Sequence, residues 1–149
     1  MPWLLNHGAD VNAQGGGGMT SLYSAVLYQN TRGFHILIEH NADIHTRDDD
    51  GESPLHATAR CPDRDRVNMM QVLLDHGANP NARDNNLSTP LHFLSRSGGQ
   101  EAVEGTRLLL KHGAIIDAED EKGRTPLQLA SEGGLGDIAT CLKEHGATR

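Results

Sequence analysis

Short apolar stretches recur along the chain, each introduced by a Ser or Thr. Leu22, Ala25 and Val26 follow Thr20-Ser21, Leu55 follows Ser53-Pro54, Leu91 follows Thr89-Pro90 and Leu127 follows Thr125-Pro126. Ser/Thr-Pro predicts a helix start, because the hydroxyl caps the first turn and Pro at the first helical position loses no needed hydrogen bond. Pro90 to Arg96 is one such helix. A break follows, at Pro62 in one case and Gly98-Gly99 in another. A second helix then ends in paired aliphatics: Leu37-Ile38, Leu73-Leu74, Leu109-Leu110. Beyond it a His-Gly step predicts a left-handed residue that closes the helix. Asn41, the next most tolerant residue there, replaces the Gly once. The following polar stretch, such as Ala78 to Ser88, suits a hairpin reaching the next unit.

The pattern is a repeat. His7-Gly8-Ala9-Asp10 returns as His40-Asn41-Ala42-Asp43, His76-Gly77-Ala78-Asn79, His112-Gly113-Ala114 and His145-Gly146-Ala147, at steps of 33, 36, 36 and 33 residues. The series Thr20-Ser21-Leu22-Tyr23, Ser53-Pro54-Leu55-His56, Thr89-Pro90-Leu91-His92 and Thr125-Pro126-Leu127-Gln128 keeps the same beat. With its Pro-Leu-His signature, Gly-Ala step and ~33-residue period, the whole chain resembles the ankyrin repeat family. The resemblance implies an all-α solenoid of helix-turn-helix units joined by β-hairpin-like loops. One domain, 1–149, then divides into a partial unit at 1–13 and full units at 14–46, 47–82, 83–118 and 119–149. Units two and three carry three extra residues each, expected between the helices at Arg60–Val67 and Arg96–Val103. Ser21 for Pro, Leu87 for the turn Gly, and Tyr23 and Gln128 for His depart from the family pattern and speak against a pure consensus design. Lys143 replaces an aliphatic in the last second helix, as expected of a capping unit. Met1-Pro2 opens abruptly inside a second helix, which suggests a boundary within a longer region.

Composition narrows the classes. Five aromatic rings in 149 residues imply a core of small aliphatic contacts. A net charge of −7 argues against binding nucleic acid. No stretch approaches the ~20 apolar residues of a membrane span, and no secretory leader is recognisable. Two cysteines, Cys61 and Cys141, are too few for a disulfide scaffold, so an intracellular setting is expected.

Candidate chemistry is thin. Five of the nine histidines share one repeat position, but units stacked roughly 10 Å apart cannot share an ion held by ~2 Å bonds. A role at helix C-terminal carbonyls is expected instead. For His56 and His92 the resemblance implies rings that link adjacent turns by hydrogen bonds. Asp48-Asp49-Asp50-Gly51 fails as a calcium loop, because the first ligand would be Thr46 and the twelfth, where a Glu is needed, Ala57. Gly15–Gly18 lacks the Lys-Ser/Thr ending of a phosphate loop and is expected to be a flexible hairpin. Cys61 is expected to be exposed beside Arg60, without a catalytic base, and Cys141 to lie in the core. No metal, cofactor or catalytic group is expected. Leu4 to Asn12 resembles ankyrin segments modified by an asparaginyl hydroxylase, with Asn12 as acceptor; a purely structural role for Asn12 in its turn is the favoured alternative.

The expected function is non-catalytic binding of a protein partner along a concave surface of hairpin tips and first helices. By family register the contacts are Met19, Leu27 and Tyr28 in the first full unit and Asp49, Asp50, Glu52, Arg60 and Cys61 in the second. The third supplies Asn85, Asn86, Ser88 and Arg96, and the fourth Glu121, Lys122, Arg124 and Glu132. The apolar trio suggests an anchor, and the acidic second unit a partner carrying Lys or Arg. The alternatives are a regulatory or targeting piece of a larger enzyme or signalling protein, or an engineered or truncated scaffold. At the N-terminal end, Leu22, Ala25 and Val26 are expected to leave apolar surface open, giving a monomer or a weak dimer.

Overall fold

The computed structural model describes residues 7–61 and 65–148. The Trp3-Leu4-Leu5 helix and the break at Pro62 lie outside them. Among the described residues eight α-helices follow in pairs: α1 Ser21–Leu27 and α2 Thr31–Glu39, α3 Pro54–Arg60 and α4 Arg66–Asp75, α5 Pro90–Ser97 and α6 Gln100–Lys111, α7 Pro126–Glu132 and α8 Gly136–Glu144. Each first helix packs on its own second helix, and α1, α3, α5 and α7 stack in sequence. Along the other side α4 packs on α6 and α6 on α8. Among the described residues there is no strand, only an isolated bridge between Gln14 and Thr20.

Local chemistry sets these boundaries. Ser53, Thr89 and Thr125 form capping boxes with the side chains of His56, His92 and Gln128, and Pro occupies the first turn of each helix. Thr20 Oγ1 accepts the Tyr23 N–H at 3.2 Å, so α1 starts without Pro. Gly77, Gly113 and Gly146 close the second helices at φ of 93°, 86° and 96°, and Asn41 takes φ 57° in the same place.

The core runs unbroken through the stack, with Leu22, Phe34, Leu37, Leu55, Met70, Leu73, Leu91, Leu94, Leu109, Ile138 and Leu142 almost fully buried. Cys141 is buried among them, and Lys143 is exposed. In unit three the extra residues do not form a loop. Gly98 and Gly99, at φ 66° and 85°, turn the chain in two residues, and the surplus lengthens α5 and α6 to eight and twelve residues. Leu22, Ala25 and Val26 are buried, contrary to the open apolar surface expected at this end. Ser21, Ser24, Ala25 and Tyr28 instead line a cavity of about 460 Å³ with Gln14, Met19 and Asn30.

Candidate functional site

The hairpin tips are built alike and joined to one another. In three of them an aspartate gathers the turn: Asp48 Oδ1 accepts the N–H of Asp50 (3.1 Å) and Glu52 (2.8 Å). Asp84 Oδ1 does the same for Asn86 (2.9 Å) and Ser88 (2.7 Å), and Asp120 Oδ1 for Lys122 and Arg124 (both 2.9 Å). Burial pushes the Asp120 carboxyl up, but these N–H groups and the Arg124 guanidinium outweigh it and hold Asp120 below the usual carboxylate range. Consecutive tips are then linked through their backbones. Asp49 N–H donates to Gly17 O (3.0 Å), Asn85 N–H to Asp50 O (2.9 Å) and Glu121 N–H to Asn86 O (2.9 Å). Asn85 Nδ2 adds a bond to Asp49 O at 2.9 Å. The glycine tip at 15–18, expected to be flexible, is tied in: Gln14 Nε2 donates to Gly18 O and Arg47 O at 2.8 and 2.9 Å.

Side chains along this ladder divide into two groups. Asp49, Asp50, Asn85, Asn86, Glu121, Lys122 and Glu132 are exposed. Tyr28 is 73% exposed, whereas Met19 and Leu27 are half-buried against the core. Glu52, Ser88 and Cys61, expected as surface contacts, are all three buried. Glu52 accepts from the Tyr23 hydroxyl (2.9 Å) and pairs with Arg60. Ser88 contributes its carbonyl to His56 Nε2 (3.2 Å), and Cys61 Sγ accepts from Gln29 Nε2 at the end of α3.

Beneath the tips lies a row of paired charges. Arg60 lies 5.3 Å over the Phe93 ring, which meets His56 edge-on at 5.4 Å. Arg96 reaches Asp120 at 3.4 Å, and Arg124 reaches Asp120 at 2.9 Å and Glu132 at 3.8 Å. His56 Nδ1 accepts from the Ser53 N–H (3.1 Å) while its Nε2–H donates to Ser88 O, so the ring is the neutral Nε2–H tautomer. Burial lowers its pKa to about 4. His92 repeats the arrangement between Thr89 and Arg124 O, and burial lowers it too. Phe93 carried no marker in the sequence, because its neighbours are supplied by the preceding unit. Arg66 likewise carries no marker in the sequence. It is buried and donates to Ala59 O (3.3 Å) and Ser97 Oγ (3.0 Å), tying the ends of α3 and α5 together.

The other candidates are structural in geometry. The Nδ1 atoms of His40, His76, His112 and His145 lie 2.7–2.9 Å from the carbonyls of Ile36, Val72, Leu108 and Cys141, which only an N–H can satisfy. The acidic tip directs Asp48 inward to its own backbone, and no group of three metal-ligating side chains occurs among the described residues. Asn12 is exposed, and its Oδ1 accepts the Asp43 N–H at 2.7 Å; Leu4–Asn6 of the hydroxylase-like segment lie outside the described residues. Asn81 makes the equivalent bond to Ile115 N–H at 2.7 Å.

No helix among the described residues is long and apolar enough to cross a membrane. Comparison with curated proteins finds no match. The family profile described as ankyrin repeats (3 copies) matches residues 1–84 and 68–148. With that match spanning both halves of the helical stack and its hairpin ladder, the chain belongs to the ankyrin repeat family.

Proposed function

We propose that the chain is a non-catalytic module that binds one protein partner across its hairpin tips and first helices. Ankyrin repeats are in general protein-interaction modules. The observation that carries the reading is the backbone ladder Gly17–Asp49, Asp50–Asn85, Asn86–Glu121, which fixes four tips as one continuous edge. An edge already ordered in the free protein loses less conformational entropy on binding. Exposed Asp49, Asp50, Asn86, Glu121 and Lys122 supply its polar contacts, and Tyr28, with half-buried Met19, an apolar anchor at one end. The acidic residues of the second tip favour a basic group in the partner segment that lies across it. Affinity capture with the whole chain, followed by mass spectrometry, tests this. A specific partner is recovered by the wild type and lost with Tyr28→Ala or Asp49→Lys/Asp50→Lys, while substitutions on the second helices, such as Lys111→Ala, leave it bound. Capture that ignores the tip substitutions refutes the reading.

A further inference from the structure

We infer that the cavity between the last turns of α3 and α5 is a subsite for an acidic side chain of the bound partner, an inference that rests on the protein-binding reading above. The cavity measures about 280 Å³ and is lined by Arg60, Phe93, Arg96 and Ser97. Small-molecule sites commonly run ~300–1,000 Å³ and enclose most of their ligand. This one is sized for a side chain.

Its charges are arranged from behind. Glu52 pairs with Arg60 and Asp120 with Arg96, and the two carboxylates are 4% and 2% exposed, against 49% and 42% for their arginines. An approaching partner therefore meets guanidinium rather than carboxylate. Each guanidinium has five N–H donors in a planar fork. Contact with one buried carboxylate leaves donors that suit the two oxygens of another carboxylate. The Phe93 ring beneath Arg60 adds a cation–π contact that holds the guanidinium in place. A Lys or Arg from the partner would be repelled by both rim cations, and an aliphatic group would strip water from them without replacing its hydrogen bonds.

The test uses phage-displayed random peptides selected on the whole chain, with affinities then measured for wild type, Arg96→Gln, Arg60→Lys and Tyr28→Ala. Asp120 keeps Arg124 as its ion partner in Arg96→Gln, and Arg60→Lys keeps a cation beside Glu52, so both variants are expected to retain the fold. The expected result is enrichment of an Asp or Glu in the selected peptides. Binding of such a peptide weakens by at least about tenfold in Arg96→Gln, as for a hydrogen bond to a charged group, and several-fold in Arg60→Lys. Changing that peptide acid to its amide costs as much, and combining it with Arg96→Gln costs little more. Peptides without an acid, lost with Tyr28→Ala but unaffected by Arg96→Gln, overturn the subsite and leave the binding face standing. Peptides indifferent to every substitution on the face overturn both.

Discussion

Tyr23 donates its phenol hydrogen to Glu52 Oε2 at 2.9 Å, across 29 residues of sequence. In the next two units the residue at Tyr23's position is His56 or His92, and each reaches a backbone carbonyl, Ser88 O or Arg124 O. A tyrosine in one unit is thus matched by a glutamate at the corresponding hairpin position of the next. Burial, then the nearby Glu52 charge, pushes the Tyr23 phenol well above its ordinary range. Burial also raises the Glu52 carboxyl, against the opposing pull of the Tyr23 hydroxyl and Arg60.

Removing the hydroxyl alone should be worse than removing its partner's charge alone. Tyr23→Phe leaves a buried carboxylate short of a donor, at a cost of about 1–3 kcal/mol. Glu52→Gln keeps an acceptor for the phenol. Urea unfolding of the two single variants and the double variant checks this: the double should be more stable than the sum of the single losses predicts.

Leu87 sits at φ 59° where the other tips place Gly18, Gly51 and Gly123, at φ 69°, 77° and 72°. A left-handed conformation costs an L-residue roughly 1–2 kcal/mol, and Leu87 is 45% exposed, so little packing offsets it. Leu87→Gly should stabilise the protein by about 0.5–1 kcal/mol after the entropy of a more flexible unfolded chain is subtracted. Gly51→Ala should do the opposite by more, because a Cβ there would lie 2.9 Å from the Asn85 nitrogen. Thermal and urea midpoints of the two variants must move in opposite directions.

Stability should fall as pH drops from about 6.5 to 4. His56 titrates at 6.5 when unfolded but near 4 when folded, so between these values the unfolded chain holds the extra proton and gains from acid. The buried neutral ring therefore contributes its full stability above pH 6.5 and loses it as pH falls through the folded value. The difference amounts to about 3 kcal/mol, and His92 shifts in the same direction. Gln128 closes the same capping box in unit four, its Oε1 accepting the Thr125 N–H at 2.9 Å. His56→Gln should hence fold and show a shallower decline in unfolding free energy over this pH range. An unchanged slope would count against the buried-imidazole account.

The column of second-helix histidines should be indifferent to metal. Each described Nδ1 from His40 to His145 is committed to a carbonyl within its own helix. Metal-dependent folds lose stability to chelators; here EDTA should leave the melting temperature unchanged, and a drop of many degrees would reassign the column.

What the sequence determined by itself is the set of features that close over three to five residues. A Ser/Thr-Pro start and its capping box depend on groups one turn apart, so Ser53, Thr89 and Thr125 mark their helices unaided. The helix ends at Gly77, Gly113 and Gly146 follow from the absence of a Cβ at a positive φ, and Asn41 from its tolerance of the same region. Because these short-range signals recur at a nearly constant interval, stacking and the continuous core were also legible.

Exposure along the hairpin tips and first helices was decided only by the tertiary structure. Asp50 and Glu52 are two residues apart and both carry carboxyl groups, yet one faces water and the other is enclosed by Tyr23 from the preceding unit and Arg60 from the helix that follows it. Cys61 and Ser88 read as surface positions until their bonding partners Gln29 and His56 are placed beside them, each 32 residues away. The cavity at Phe93 likewise requires Arg60 and Arg96, contributed by consecutive units. A local pattern specifies the backbone because its hydrogen bonds are local. Burial and charge pairing are settled by whichever side chains the neighbouring repeat happens to carry, as where Tyr23, a departure from the family pattern, meets Glu52.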